Sequence, residues 1–259
     1  RMNELNIAIN AAAEAGEVIL KYYQSDYEIK DKGFQNPVTT ADHESDKVLR
    51  EILTNAYPDY GWLSEETIDS KSRRLQKKKV WVVDPLDGTK EFIEGVPHFV
   101  VSIALVESGR PILGVLYNPV TKETFTAYKG MGARLNDELI KCSEKKHTKR
   151  MVILNSRSEI SKGLWNNYQS QFAKFKAVGS VAYKLGLTAA GEGDVFASLR
   201  PKNEWDICAG NCIINEAGGK LIDLNGNQRV YNLDDTLIRP GLIAGGKEAV
   251  DQILALLRP

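Results

Sequence analysis

The chemistry in this chain is concentrated in Asp84-Pro85-Leu86-Asp87-Gly88-Thr89, directly after the apolar run Val80-Trp81-Val82-Val83. The two carboxylates flank Pro85, which fixes φ and has no N–H, and Leu86, whose carbonyl is free to face the same point. Two anionic oxygens and a carbonyl at one strand end suit a hard cation such as Mg2+, which takes oxygen ligands and keeps some waters. Gly88 lets backbone approach an anion, Thr89 adds a hydroxyl, and a helix opening near Thr89 would turn its first N–H groups toward a phosphate. A second acidic pair, Glu65-Glu66, lies upstream; on an extended chain the two point apart, so one of them joins a given cation. The plain alternative is an Asp-Pro-x-Asp-Gly surface turn. The buried approach through Val80–Val83 and the second acidic pair argue against it.

The elements that must position these groups follow from periodicity. Val80–Val83 shows no polar alternation and reads as a strand covered on both faces. Apolar residues at helical spacing predict a helix over Leu5–Tyr23 and a second over Ala41–Ala56, the latter capped by Thr39 or Thr40 with Asp42 in its first turn. A carboxylate there also suits the helix terminus on dipole grounds alone. Between these helices lies a polar stretch with Lys30, Lys32 and Gly33, and Trp62-Leu63-Ser64 reads as a short strand running into Glu65. Lys71–Lys79 reads as a solvated loop.

Phe99–Val106, Ile112–Tyr117 and Thr124–Tyr128, separated by Gly- and Pro-containing turns, predict an antiparallel meander, with Gly130–Ala133 as a turn. The charged stretch Glu144–Lys149 marks a boundary, giving an α+β half over residues 1–146 and an α/β half over 147–259. In the second half, strands are expected at Met151–Leu154, Val195–Leu199, Leu221–Ile222 and Leu242–Ala244. Helices are expected at Leu164–Phe175, Val181–Ala190, from Trp205 to Gly218, and at Lys247–Leu257.

Bulk properties narrow the partners. A chain of 259 residues can bury a substantial core. With 34 basic and 34 acidic residues it has no global electrostatic case for a nucleic-acid polymer or a membrane surface, so an anionic ligand must be held locally. No apolar run approaches the ~20 residues of a membrane span, and the opening residues lack the pattern of a secretory leader. Three cysteines, sparse and odd in number, point to a reducing, cytoplasmic setting. Cys208 and Cys212, one helical turn apart, read as small buried hydrophobes, and His43, His98 and His147 as surface or packing residues.

Glu65-Glu66, Asp84–Thr89, Trp205-Asp206 before Ala209-Gly210, and Glu216-Ala217-Gly218-Gly219 occur in the order of the inositol monophosphatase superfamily, which the chain resembles over nearly its whole length. That superfamily comprises Mg2+-dependent, Li+-sensitive phosphatases, and the resemblance implies a layered αβαβα sandwich with two or three Mg2+ between the halves. Ser64, Lys90-Glu91-Phe92-Ile93, Ser156-Arg157-Ser158, and Gly179-Ser180 followed by Lys184 look most like the bacterial 3'(2'),5'-bisphosphate nucleotidases, which convert adenosine 3',5'-bisphosphate to AMP and phosphate. Arg239 stands where that subgroup has Asn, which leaves its substrate contact open.

Carried over, Glu65, Asp84 and the Leu86 carbonyl would bind one Mg2+, and Asp84, Asp87 and Asp206 a second. Thr89 and Asp42 would orient the attacking water, with Glu65 contributing to its activation. Gly88, Thr89 and Lys90 would meet the phosphate, beside Glu65, Leu86, Asp87 and Asp206. Arg157, Gly179, Ser180 and Lys184 would face the nucleoside and remaining phosphate. An inositol or sugar phosphatase keeps the same metal chemistry and differs only in the pocket. The resemblance also implies a homodimer.

Overall fold

The computed structural model describes residues 2–23, 29–31 and 37–258. Helix α1 (Met2–Tyr22) is followed by the short strands β1 (Ile29–Asp31) and β2 (Pro37–Thr39) and by helix α2 (Thr40–Ala56). The polar stretch at Lys32 and Gly33 lies outside the described residues. Next come β3 (Gly61–Ser64), the single turn α3 (Lys71–Arg74), β4 (Lys79–Asp87) and α4 (Thr89–Glu94). The meander is β5 (Val100–Glu107), β6 (Arg110–Asn118), β7 (Glu123–Tyr128), β8 (Ala133–Leu135) and β9 (Glu138–Ile140). Beyond it lie β10 (Val152–Asn155), α5 (Arg157–Ser161), β11 (Lys174–Ala177), α6 (Val181–Ala189), β12 (Val195–Ser198) and β13 (Lys202–Asn203). The chain closes with α7 (Glu204–Glu216), β14 (Gly219–Asp223), β15 (Leu237–Ile238), β16 (Leu242–Gly246) and α8 (Lys247–Leu257).

Two large sheets and three helical layers result, with β1-β2 and β13-β15 as separate two-stranded pairs. The first sheet runs β3-β4-β5-β6-β7-β8-β9 and the second β11-β10-β12-β16-β14. Within β4, Trp81 and Val83 face α1 and α2, packing with Ala8, Ala12, Ile19, Leu49 and Leu53. Val80 and Val82 face the other way, into a cluster that holds Leu185 of α6, Ile207 and Ile213 of α7, and Phe196 and Leu242 of the second sheet. The outer face of that sheet, with Ile153, Val195 and Ile243, is covered by Val250 and Ile253 of α8. The period-2 alternation of β-strand side chains thus feeds two cores from one strand, and the layering is αβαβα, as the resemblance implies. Close approach of the central layer depends on Gly114, where a Cβ would stand 2.5 Å from the Ala209 carbonyl of α7. Among the described residues, no helix is long and apolar enough to cross a membrane.

Two expectations fail here. The stripe Leu164–Phe175 is not an α-helix: it forms a 3-10 segment at Asn166–Gln171 and then the edge strand β11, parallel to β10. Trp165, Phe172 and Phe175 dock against one another there, so tertiary packing and a free sheet edge override the helical spacing. Lys71–Lys79 is not wholly solvated either. Arg74 is buried, and its guanidinium is held by Asp69 at 2.7 and 2.9 Å and by Asn232 at 2.8 Å, an interaction that satisfies the cation and ties α3 to the segment ahead of β15. Strands β8 and β9 after the Gly130 turn were not anticipated from the sequence.

Candidate metal centre and phosphate pocket

Strand β4 delivers its acids through an irregularity. Asp84 pairs with Ser102 of β5 and Asp87 with Val100, so three steps on β4 oppose two on its partner. Pro85 cannot donate to the ladder, and an extra residue is accommodated there as a bulge. Gly88 then turns the chain at φ +103°, where a Cβ would stand 2.5 Å from the His98 carbonyl, and α4 begins at Thr89. From the other half, α7 brings Asp206 in its first turn, with Asp206 Oδ2 accepting from Asn203 N at 2.8 Å.

The carboxylate oxygens of Asp84, Asp87 and Asp206 lie within 4.8 Å of one another. Glu65 stands outside that cluster but is hydrogen-bonded with Asp84. Burial, followed by the negative charges of Glu65, Asp87 and Asp206, pushes the Asp84 carboxyl well above its ordinary range. Burial, then Asp87 and Glu65, does the same to Asp206. Asp87 Oδ2 accepts from Ser180 Oγ and, at 2.9 Å, from Ala182 N, so the N-terminal turn of α6 steadies this acid across the halves. Like charges crowded together at low exposure, offering oxygen donors only, fit a hard divalent ion.

Thr89 Oγ1 lies 3.4 Å from both carboxylate oxygens of Asp42 and 3.3 Å from the Leu86 carbonyl. Apart from Asp42, every site residue inferred from the sequence lines one cavity of about 330 Å³. A larger cavity of about 550 Å³ lies near Cys142 and Gly246; the lysines Lys141, Lys145 and Lys146 on its wall are paired with Glu144, Asp194 and Glu248. Among the described residues, that cavity gathers no acids into a cluster that could hold a metal ion. Arg239, half of an exposed pair with Asp235, does not line the 330 Å³ cavity.

The cations on the wall differ in what they are free to do. Arg157 is committed, donating to Glu91 and Glu94 of α4 at 2.8 Å each. Lys184 is fully buried, donates to the Val178 carbonyl at 2.6 Å and lies over the Phe196 ring. Its bond to Val178 steadies the backbone that presents Gly179 and Ser180. Gly179 N donates to His98 Nδ1 at 3.1 Å, which makes His98 a packing residue between the halves. Arg200 and Lys202 also line the cavity and were missed from the sequence. Their only signal there is a basic pair in Arg200-Pro201-Lys202, just ahead of Asp206. Cys208 and Cys212 are buried and free, as expected.

Burial lowers the Lys184 ammonium to about 8 from its ordinary 10.5. Between these values the unfolded chain holds the proton and the folded one does not, so stability rises with pH through the window; below it, the buried cation costs about 3 kcal/mol. Lys184→Met removes this dependence. In thermal melts from pH 7 to pH 10, wild type should therefore gain on Lys184→Met as pH rises, and parallel curves would contradict the assignment.

Such a bed of acids is suited to metal-assisted hydrolysis of a phosphate ester. Residues 2–258 match the model of the inositol monophosphatase family, and the chain belongs to that family as one of its phosphatases. It is 35% identical to the protein named Nus factor SuhB of Pasteurella multocida, over 98% of this chain and 96% of that one. It is 33% identical to the inositol-1-monophosphatase of Rhizobium meliloti, over 86% of each chain. The crystal structure of CysQ from Bacteroides thetaiotaomicron, a bacterial member of the family, superposes with a TM-score of 0.77 at 30% identity, over 95% of this chain and 97% of that one.

Proposed function

We propose that this chain hydrolyses adenosine 3',5'-bisphosphate to AMP and phosphate, with Mg2+ held by Glu65, Asp84, the Leu86 carbonyl, Asp87 and Asp206. The observation that carries the reading is the convergence of Asp84 and Asp87 with Asp206, from opposite halves, in a cavity whose wall also bears cations. Bound there, Mg2+ supplies charge neutralisation for the phosphate dianion and makes water more acidic. The chain's own groups do the rest. Thr89 Oγ1 directs its proton toward Asp42, which leaves an oxygen lone pair to accept the proton of the attacking water and fix its approach. The backbone at Gly88, Thr89 and Lys90 receives the phosphate oxygens. Ser180 and Ala182 hold Asp87 in place, so one acid is set by both halves at once. No Ser, Cys or His nucleophile is required.

The choice of a nucleotide bisphosphate rests on the Lys90-Glu91 continuation and on the basic wall. The Rhizobium relative's name favours a second reading, an inositol phosphatase with the same metal chemistry. Assaying adenosine 3',5'-bisphosphate, inositol 1-phosphate and fructose 1,6-bisphosphate with Mg2+ separates the two. The nucleotide should give the highest kcat/KM, and millimolar Li+ should inhibit. Preference for inositol 1-phosphate would overturn the substrate assignment and leave the metal centre standing.

A further inference from the structure

The turn that carries Glu65 lies on the outside of the molecule. Ser64 ends β3 in parallel register with Val83 of β4, and Glu65 N donates to the Val83 carbonyl at 3.3 Å. Beyond that bond the chain leaves the sheet. Glu65 is exposed, and Ile68, three residues on, is 94% exposed, so apolar packing does not anchor this turn. Its geometry must come from polar contacts.

Those contacts converge on Asp46. This acid of α2, only 8% exposed, accepts from Ser64 Oγ at 2.6 Å through Oδ1 and from Thr67 Oγ1 at 2.8 Å through Oδ2. It therefore grips the chain on both sides of Glu65. Trp62 Nε1 donates to Thr67 Oγ1 at 3.1 Å, and Glu66 N to Ser64 Oγ at 3.4 Å, which leaves each hydroxyl its own proton to give the carboxylate. Hydroxyl donors make short, strong bonds to an ionised carboxylate. The far end of the turn is fastened separately, by Asp69 on the Arg74 guanidinium. Asp46 also stands one helical turn after Asp42 on the buried face of α2. One helix thus sets both the acid beside Thr89 and the turn that offers Glu65.

We propose that Asp46 is a positioning residue for the metal centre: it holds the turn at 64–67 so that the Glu65 carboxylate is presented to the ion shared with Asp84. Asp46 does not line the 330 Å³ cavity, so it acts through Glu65 and not on the substrate. The proposal rests on the assignment of Glu65 to Mg2+ made above, and it explains how an exposed side chain on a turn can serve as a ligand of defined geometry. Groups that orient a ligand in this way commonly matter for metal affinity nearly as much as the ligand itself.

The test is a double-mutant cycle read by calorimetric titration of Mn2+ into wild type, Asp46→Ala, Glu65→Gln and the double variant, with no substrate present. Asp46→Ala should weaken Mn2+ binding about 10- to 100-fold. In the Glu65→Gln background the same substitution should change it by less than about twofold, because the ligand that Asp46 positions is already gone. Thr67→Val, which removes one of the two donors, should lose less than Asp46→Ala. Thermal melts check folding, and should Asp46→Ala fail to fold, Thr67→Val completes the same cycle with Glu65→Gln. Wild-type Mn2+ affinity in Asp46→Ala, or an equal loss in both backgrounds, overturns the positioning role while the metal assignment stands. If wild type binds no Mn2+, the metal assignment falls and the positioning role with it.

Discussion

Asp84→Asn should abolish turnover and at the same time make the metal-free protein more stable. Asp84 is 1% exposed, and its carboxyl is hemmed in by Glu65, Asp87 and Asp206, so in the absence of a cation it is held against strong mutual repulsion. The amide has the same shape. It retains an oxygen to accept from Leu86 N, now at 3.2 Å from Oδ1, and it removes one of the repelling charges. Relief of about 1 kcal/mol would raise the melting temperature by roughly 2–4 °C in a chain of this size. Activity moves the other way, because the acid assigned to both Mg2+ ions has lost its charge; a fall on the order of a thousandfold or more in kcat/KM is expected. Opposite signs in the two readouts separate a ligand-site acid from a structural one. A variant that loses both activity and stability would place Asp84 among the packing residues.

Removing Mg2+ should destabilise the wild-type protein, and more so at higher pH. At a hundredfold excess over its dissociation constant a ligand of the folded state contributes about 2.7 kcal/mol, or roughly 5–10 °C here. The pH sign follows from Asp84 and Asp206, whose folded values lie above the ordinary 3.8. Folded metal-free protein keeps protons that the unfolded chain has released, so its stability falls as pH rises from about 4 through the folded values. Mg2+ binds the deprotonated acids, so its stabilising effect grows over the same range. Melts at pH 6 and pH 8, with Mg2+ and with chelator, should show the larger Mg2+ shift at pH 8. A shift independent of pH would detach the ion from these carboxylates.

What the sequence revealed and what it hid divide along physical lines. Val80–Val83 was legible because a strand buried on both faces must be apolar throughout, and the acids after Pro85 break that run abruptly. Asp206 was not legible from periodicity or spacing; only the resemblance tied Trp205-Asp206 to a motif more than a hundred residues earlier. Leu164–Phe175 misled because aromatic residues at helical spacing also serve an edge strand once a parallel neighbour offers its backbone. Arg74 looked like a solvated cation, yet Asp69 and Asn232 claim it, while Arg157 lines the cavity and is also paired with Glu91 and Glu94. Whether a basic side chain is free depends on partners far away in the chain.

The account turns on Asp84, Asp87 and Asp206 holding a divalent cation together. Crystals soaked in Mn2+ and measured at its absorption edge test this most directly. Anomalous density among the three carboxylates is the predicted result. An empty cluster in crystals of protein that Mn2+ renders active, with the ion found elsewhere, would contradict it.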